Sequence, residues 1–117
     1  MQDDIDDLLP LPPVTFQILV ALTDDERHGY AIIQEIAART SGEVTLGAGT
    51  LYRSIQRMQE QGLIAESRRR PAKEDDDERR RYYRITTFGS AVARAEARRL
   101  ILMVELARES GLAPGRS

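Results

Sequence analysis

The chain has 117 residues, enough for one domain, and 41% of them are hydrophobic, so a modest apolar core is expected. Cysteine is absent and His28 is the only histidine. Disulfides and thiolate chemistry are thereby excluded, and a multi-histidine metal site or a Ser/His/Asp triad is disfavoured. The net charge of −2 is unevenly distributed, because residues 1–26 carry −7 and residues 27–117 carry +5. We therefore expect a protein that is not an enzyme and needs no cofactor or metal, with a basic part that suits an anionic partner.

Hydrophobic runs are short in this sequence. The longest, residues 18–22 and 100–104, are far below the roughly 18 consecutive apolar residues of a membrane span. The N-terminus carries acidic residues where an export signal carries cations, namely Asp3, Asp4, Asp6 and Asp7. We expect a cytoplasmic protein without a membrane segment.

The N-terminal third predicts a tail and two helices. Residues 1–11 are acidic and end among prolines, which favours an acidic tail. A first helix is expected from residue 12 to about residue 22, since proline is tolerated in a first turn. Its apolar residues occupy more than one side, so the helix is expected to be covered on two faces. After a polar turn over residues 23–28, apolar spacings of three and four predict a second helix that ends near Gly42.

The middle of the chain predicts a short strand and an amphipathic third helix. Residues 43–46 are partly β-branched, and we interpret them as the strand. On a helical wheel of the next segment, one side is apolar and carries Leu51, Ile55, Met58 and Gly62. The opposite side is polar and carries Gly49, Arg53, Gln56 and Glu60, with Arg57 on its flank.

A hairpin and a last helix complete the predicted order. Residues 63–69 and 81–86 are expected to be strands joined by a hydrophilic loop over residues 71–78. Thr86 or Thr87 can cap a last helix that extends to about Arg108. Residues 100–104 are apolar and surround this helix, and so short a chain has too little surface to cover them. We predict a homodimer that forms through the last helix, with a contribution from the first helix. The alternative, which we favour less, is a last helix that lies in a groove of its own domain.

Two helices, a short strand, a helix and a hairpin are the elements of a winged helix-turn-helix, a mainly α fold with a small β-hairpin (α+β). Several motifs in this order resemble the PadR-like family of transcriptional regulators. They are Ile18-Leu19 with Leu22, His28-Gly29-Tyr30, Gly49-Thr50-Leu51-Tyr52, Gly62-Leu63-Ile64, and the run from Arg81 to Thr86 with Gly89. The resemblance covers about residues 18–89, and the single C-terminal helix resembles the compact branch of that family.

The resemblance implies a sequence-specific DNA-binding transcriptional regulator. We expect a repressor that binds double-stranded DNA as a homodimer, at an inverted repeat with half-sites roughly 10 bp or a multiple apart. The chain then divides into an acidic N-terminal tail (1–11), a winged helix-turn-helix DNA-binding domain (12–86), a dimerisation helix (87–109) and a flexible tail (110–117).

The third helix is the predicted recognition helix. Arg53 and Gln56 project furthest from the core and are assigned to base edges, with Thr50 and Arg57 as base or backbone contacts. Tyr52 is either a phosphate contact or a structural residue, and Gly29 and Gly49 allow close approach to phosphate or are packing glycines. Tyr30 and His28 at the start of the second helix are also candidates for DNA contact. Family members often carry Ser-Pro where this chain has Gly47-Ala48, which removes a side-chain cap worth up to about 1 kcal/mol.

The predicted wing combines a basic stem with an acidic tip. The stem arginines are suited to backbone phosphates or a narrow minor groove, and they are Arg68, Arg69, Arg70, Arg79, Arg80 and Arg81. The five acids of residues 74–78 either stay in solvent, which we favour, or pair with the stem until DNA displaces them. Tyr82 and Tyr83 point to opposite faces of their strand, so one of them is expected in the core.

Two further hypotheses concern partners. The family commonly responds to small hydrophobic or aromatic compounds, which implies an effector where the first and last helices of both subunits meet. Residues assigned to this dimer interface or effector pocket are Phe16, Leu19, Leu102, Met103 and Leu106, and plain interface packing is the favoured role. The alternative function is a winged-helix protein–protein interaction module without DNA binding, contacted through the acidic N-terminus and the acidic tip.

Overall fold

The computed structural model describes residues 2–67 and 81–115. Within these ranges the chain forms helices α1 (Gln2–Leu8), α2 (Pro13–Ala21), α3 (Gly29–Arg39), α4 (Ala48–Glu60) and α5 (Thr87–Glu109), and strands β1 (Arg27–His28), β2 (Ile64–Glu66) and β3 (Tyr82–Ile85). The prediction of a mainly α fold with a small β-hairpin is confirmed. No helix of the described ranges is both long and apolar enough to cross a membrane.

The sheet differs from the prediction in its third strand. β3 lies in the middle and pairs antiparallel with β1 on one side and β2 on the other. The prediction of a strand at residues 43–46 is wrong, since these residues belong to no strand. The short strand is β1 instead, within the segment predicted to be a turn. Two residues are too few to show the alternation from which a strand is inferred, and β1 exists because β3 pairs with it.

The core lies where α2, α3, α4, α5 and the sheet meet. Each helix contributes fully buried side chains, among them Ile18, Leu19, Ile32, Leu51, Met58 and Val92. Tyr83 of β3 is buried, whereas Tyr82 is half-buried with its ring 5.5 Å from that of His28. The expectation that the two tyrosines face opposite sides is therefore confirmed, and Tyr83 is the core residue.

The start of α5 is anchored to the chain that leaves α4. Thr86 caps α5, because its Oγ1 accepts a hydrogen bond from the Gly89 amide at 2.9 Å and donates to the Gly62 carbonyl at 2.6 Å. A Cβ atom on Gly89 would lie 2.0 Å from the Leu63 carbonyl oxygen, so only glycine fits there. Gly62 is exposed and has a φ of 77°, a left-handed conformation that glycine adopts without strain. It therefore ends α4 and does not belong to the apolar side on which the wheel placed it.

The segment predicted as an acidic tail contains a helix. α1 packs on α5 through the buried side chain of Ile5, and Leu11 is also buried. The Leu11 amide donates to Oε2 of Glu96, a residue of α5 that is 2% exposed. Arg99 completes the cluster, with its Nε 2.6 Å from Glu96 Oε1. A few apolar positions within an acidic stretch do not show a helical period, which explains why the sequence did not predict α1.

Glu96→Gln is expected to destabilise the protein by about 1–3 kcal/mol near neutral pH, because it removes charge-assisted hydrogen bonds to a buried carboxylate. The hydrogen bonds from Arg99 lower the pKa of Glu96 below its ordinary value of 4.5, although burial acts in the opposite direction. A carboxylate with a lowered pKa in the folded state stabilises the fold above its unfolded pKa, and this contribution disappears as the pH falls through the folded value. Thermal melts of both proteins should show a gap in Tm that narrows below about pH 4.5. A gap that does not depend on pH would contradict this role.

Candidate nucleic-acid interface

α4 presents a polar face to solvent opposite an apolar face. Leu51, Ile55 and Met58 are buried in the core. Arg53, Gln56 and Arg57 are exposed, as the helical wheel predicts. Packing of the apolar side therefore directs the two guanidinium groups outward.

The first turn of α4 carries a compact polar patch. Arg53 extends along its own helix toward the N-terminus, with Nη2 3.5 Å from Thr50 Oγ1. A Cβ atom on Gly49 would lie 3.3 Å from Arg53 Nη1, which places the guanidinium beside that glycine. Gly47 occupies the N-cap and provides no side-chain hydrogen bond, so the absence of a serine-type cap at this helix start is confirmed. The exposed start of α4 thus combines an arginine, a hydroxyl group and uncapped backbone amides.

The arginines of α4 lack an ionic partner within the described ranges. Five other arginines of that part form salt bridges with nearby carboxylates, namely Arg27, Arg39, Arg81, Arg99 and Arg108. Arg39, for example, pairs with Glu35, and this hydrogen bond raises the pKa of the guanidinium further above its ordinary value. No described carboxylate approaches Arg53 or Arg57 in this way. Their uncompensated charge makes the outward face of α4 a surface for an anion.

Tyr52 and Gly29 form a close contact between α4 and α3. Tyr52 is half-buried, and a Cβ atom on Gly29 would lie 2.5 Å from its hydroxyl oxygen. This geometry favours the packing alternative for Gly29 and the structural alternative for Tyr52. His28 is the N-cap of α3, as expected of a helix-start residue, and its Nδ1 accepts a hydrogen bond from the Ala31 amide at 3.1 Å. Tyr30, in the first turn of α3, is exposed and available to a partner.

Only the base of the wing lies within the described ranges. Ser67 joins it to the rest of the fold, because its Oγ donates to Glu26 Oε1 at 2.5 Å and its amide donates to the Tyr82 carbonyl at 2.8 Å. Arg81 is exposed and paired with Glu66. The remaining stem arginines (Arg68, Arg69, Arg70, Arg79 and Arg80), the loop over residues 71–78 and the acidic tip lie outside the described residues.

Arg84 is a candidate for DNA contact that was not predicted from the sequence. It is exposed on β3, next to the buried Tyr83, and has no ionic partner in the part of the chain that is described. The alternation of side chains along a strand would have predicted its outward direction once Tyr83 was assigned to the core.

The C-terminal half of α5 exposes an apolar surface. The side chains of Ile101, Leu102, Met103, Val104 and Leu106 are between 43% and 60% exposed. This agrees with the expectation that one chain cannot cover residues 100–104. The surface is contiguous along the helix, and large exposed apolar surfaces usually mark an interaction site.

The five residues assigned to a dimer interface or effector pocket do not come together within one chain. Leu19 was wrongly assigned, since it is completely buried in the core formed by its own helix and its neighbours. Phe16 is half-buried and lines two clefts, one of about 190 Å³ between α2 and α3 and one of about 210 Å³ between α2 and α5. Leu102, Met103 and Leu106 line neither cleft. A shared pocket would therefore require a second chain.

The fold and this interface define a class of protein. α3 and α4 form a helix-turn-helix, and β2 and β3 form the base of a wing beside it, which is a winged helix-turn-helix. Residues 18–95 match the model of the transcriptional regulator PadR-like family. The chain belongs to this family, and the resemblance of its motifs is confirmed.

Solved structures share the fold. A transcriptional regulator from Clostridium thermocellum is similar with a TM-score of 0.71 and 24% identity, covering 93% of this chain and 95% of that one. A PadR family transcription regulator from Clostridium difficile R20291 has a TM-score of 0.69 and 21% identity, covering 84% and 97%. RosR of H. salinarum has a TM-score of 0.61 and 22% identity, covering 92% and 100%. No curated protein matches the sequence closely enough to count as a relative.

Proposed function

We propose that the protein is a homodimeric, sequence-specific DNA-binding repressor that acts in the cytoplasm on an inverted-repeat operator. The observation that carries the proposal is the pair of exposed arginines on α4, Arg53 and Arg57, whose charge no described carboxylate balances. Family membership supports DNA-binding regulation as the general function. An unbalanced cationic helix face is the expected complement of a major groove, which phosphate backbones border on both sides.

In this proposal α4 enters the major groove. Arg53 donates a bidentate pair of hydrogen bonds to a guanine edge, and Gln56 pairs with an adenine edge, which are the geometries these side chains favour. Thr50 and Arg57 hold the flanking backbone. Tyr30 at the start of α3 and Arg84 on β3, which are both exposed, are proposed as further DNA contacts.

The dimer is proposed to form through α5. The exposed apolar residues 101–104 and Leu106 have no cover in the described part of their own chain, and a second copy offers the same surface in return. Such isologous contacts are the commonest way in which soluble proteins form dimers. The two-fold axis would set two copies of α4 at a fixed separation, so the half-sites should lie roughly 10 bp or a multiple apart.

A small hydrophobic or aromatic effector is the third part of the proposal. The clefts on both sides of Phe16 support it, since both are largely apolar and the one between α2 and α5 adjoins the helix proposed to form the dimer. An effector would release DNA only if it bound more tightly to a dimer in which the α4 helices are wrongly spaced.

The proposal is tested by selecting duplexes from a random DNA library with the purified protein. We expect enrichment of one inverted repeat, and binding to it that weakens with salt by about 0.9 in log K per log unit of salt for each phosphate contacted. Fluorescence anisotropy over a series of salt concentrations measures this slope. If no sequence is enriched and no duplex binds, the protein–protein interaction module becomes the better hypothesis.

A further inference from the structure

A cleft of about 210 Å³ lies between the start of α2 and the exposed side of α4. Its lining consists of Pro12, Val14, Thr15, Thr50, Arg53, Ser54 and Arg57. These described residues include two guanidinium groups and three hydroxyl groups, and no carboxylate is among them. The cleft is therefore cationic and rich in hydrogen-bond donors.

Thr15 is the unusual member of this lining. It is 6% exposed, and its hydroxyl forms no hydrogen bond with any residue in the described ranges. Thr23 and Thr40, by contrast, donate to carbonyl oxygens of their own helices, Leu19 at 2.9 Å and Ile36 at 2.8 Å. Buried polar groups normally have a partner, and no side-chain oxygen or nitrogen of the described part is both sealed from solvent and unpaired. The Thr15 hydroxyl is therefore open to solvent, and Thr15 lines this cleft.

The backbone adds donors at the same place. α2 begins at Pro13, and the hydrogen bond from the Phe16 amide to the Pro12 carbonyl is the first of the helix. The amides of Val14 and Thr15 precede it and have no acceptor within the described ranges. They lie at the positive end of the α2 dipole, beside the two arginines.

We infer that this cleft binds an oxyanion of the phosphate class. Arg57 supplies bidentate donors and Arg53 adds positive charge, while Thr15, Ser54 and the first amides of α2 supply hydrogen bonds to the remaining oxygens. The inference rests on the proposed function in one respect: the nearest source of such a group is a backbone phosphate of the DNA that α4 contacts. Free phosphate has the same chemistry and is the second source. Bound to DNA, the cleft makes the start of α2 a further backbone contact that orients α4 in its groove.

The test is a pair of titrations of the ¹⁵N-labelled full chain. The first uses inorganic phosphate against chloride at equal ionic strength, and the second uses the selected duplex. We expect saturable shifts of the Val14 and Thr15 amides and of Arg57 Nε. Thr15→Val should weaken the interaction roughly 3- to 10-fold, because it removes one donor to a charged acceptor. The fold should survive this change, since the hydroxyl has no partner within the described part.

Thr23→Val is the matched control. It removes a hydroxyl from the other end of α2, where it bonds to the Leu19 carbonyl, and should leave both titrations unchanged. Shifts with phosphate and duplex support a general oxyanion site, and shifts with duplex alone support a site for backbone phosphate. If the α4 amides shift with duplex while Val14 and Thr15 respond to neither titrant, the inference is overturned and the proposed function stands. If phosphate binds in the cleft and no duplex binds at all, the proposed function fails while the anion site stands.

Discussion

Arg53→Ala combined with Arg57→Ala is expected to weaken binding to the selected duplex about 10²- to 10⁴-fold. Each arginine that bonds a base edge contributes about 1–3 kcal/mol, and both carry charge that displaces counterions. The slope of log K against log salt should also fall by about one for each phosphate that the variant no longer neutralises. Anisotropy titrations of wild type and variant at several salt concentrations measure both effects.

The fold should tolerate this double change. Both side chains are exposed, and the one hydrogen bond they make in the described ranges is the long one from Arg53 to Thr50. Alanine is also the better helix former. Circular dichroism melts should therefore give nearly the same Tm for both proteins.

Arg94→Ala combined with Arg98→Ala is the matched control. These residues have the same spacing of four, lie on α5 rather than α4, and have no ionic partner in the described part of the chain. Their removal changes the net charge equally but leaves α4 intact, so affinity should change by less than about threefold near physiological salt, where distant charges are screened. If both double variants bound DNA equally weakly, binding would depend on overall charge, and the assignment of α4 as the recognition helix would be contradicted.

Ile101→Glu combined with Leu102→Glu is expected to convert the protein from a dimer to a monomer of 13.2 kDa. Both side chains are more than half exposed within one chain, so the substitutions leave its core untouched. In a dimer through α5 they would place four carboxylates in an apolar contact, at a cost of several kcal/mol. Light scattering coupled to size exclusion at micromolar concentration measures the mass. Affinity for the full inverted repeat should fall to that for a single half-site, because the second recognition helix is no longer tethered.

Leu112→Glu provides the comparison for this experiment. Leu112 is 83% exposed and follows the end of α5, so the same change of an apolar residue to an acid should leave the dimer intact. A wild-type mass of 13.2 kDa under these conditions would contradict the proposed dimer. Circular dichroism of the variant with Ile101→Glu and Leu102→Glu distinguishes dissociation into folded monomers from unfolding.

Elements with a strong local pattern were predictable from the sequence. In α4 the apolar residues recur at spacings of three and four, which was enough to separate the buried side from the side that carries Arg53 and Arg57. Thr86 and Thr87 were both predicted as possible caps by their residue type and by their place before a helical stretch, and Thr86 is the cap. Residues 100–104 indicated an uncovered helix because five consecutive apolar residues surround any helix.

Features that join distant parts of the chain were not predictable in this way. β1 forms only because β3 returns beside it. The segment that follows α1 is held by a hydrogen bond from the Leu11 amide to Glu96, 85 residues further along the chain. Leu19 and Phe16 belong to one apolar stretch, yet packing buries the first completely and leaves the second beside two clefts.

One physical reason separates the features that were predictable from the sequence from those that were not. Periodicity and capping depend on neighbours a few residues away, so the amino-acid order alone specified helices α2 to α5, the outward arginines and the uncovered end of α5. Pairing, burial and clefts depend on which surfaces meet in space. The three-dimensional packing therefore decided where β1 lies, which apolar residues are sealed, and that Thr15 lies unpaired beside Arg53 and Arg57.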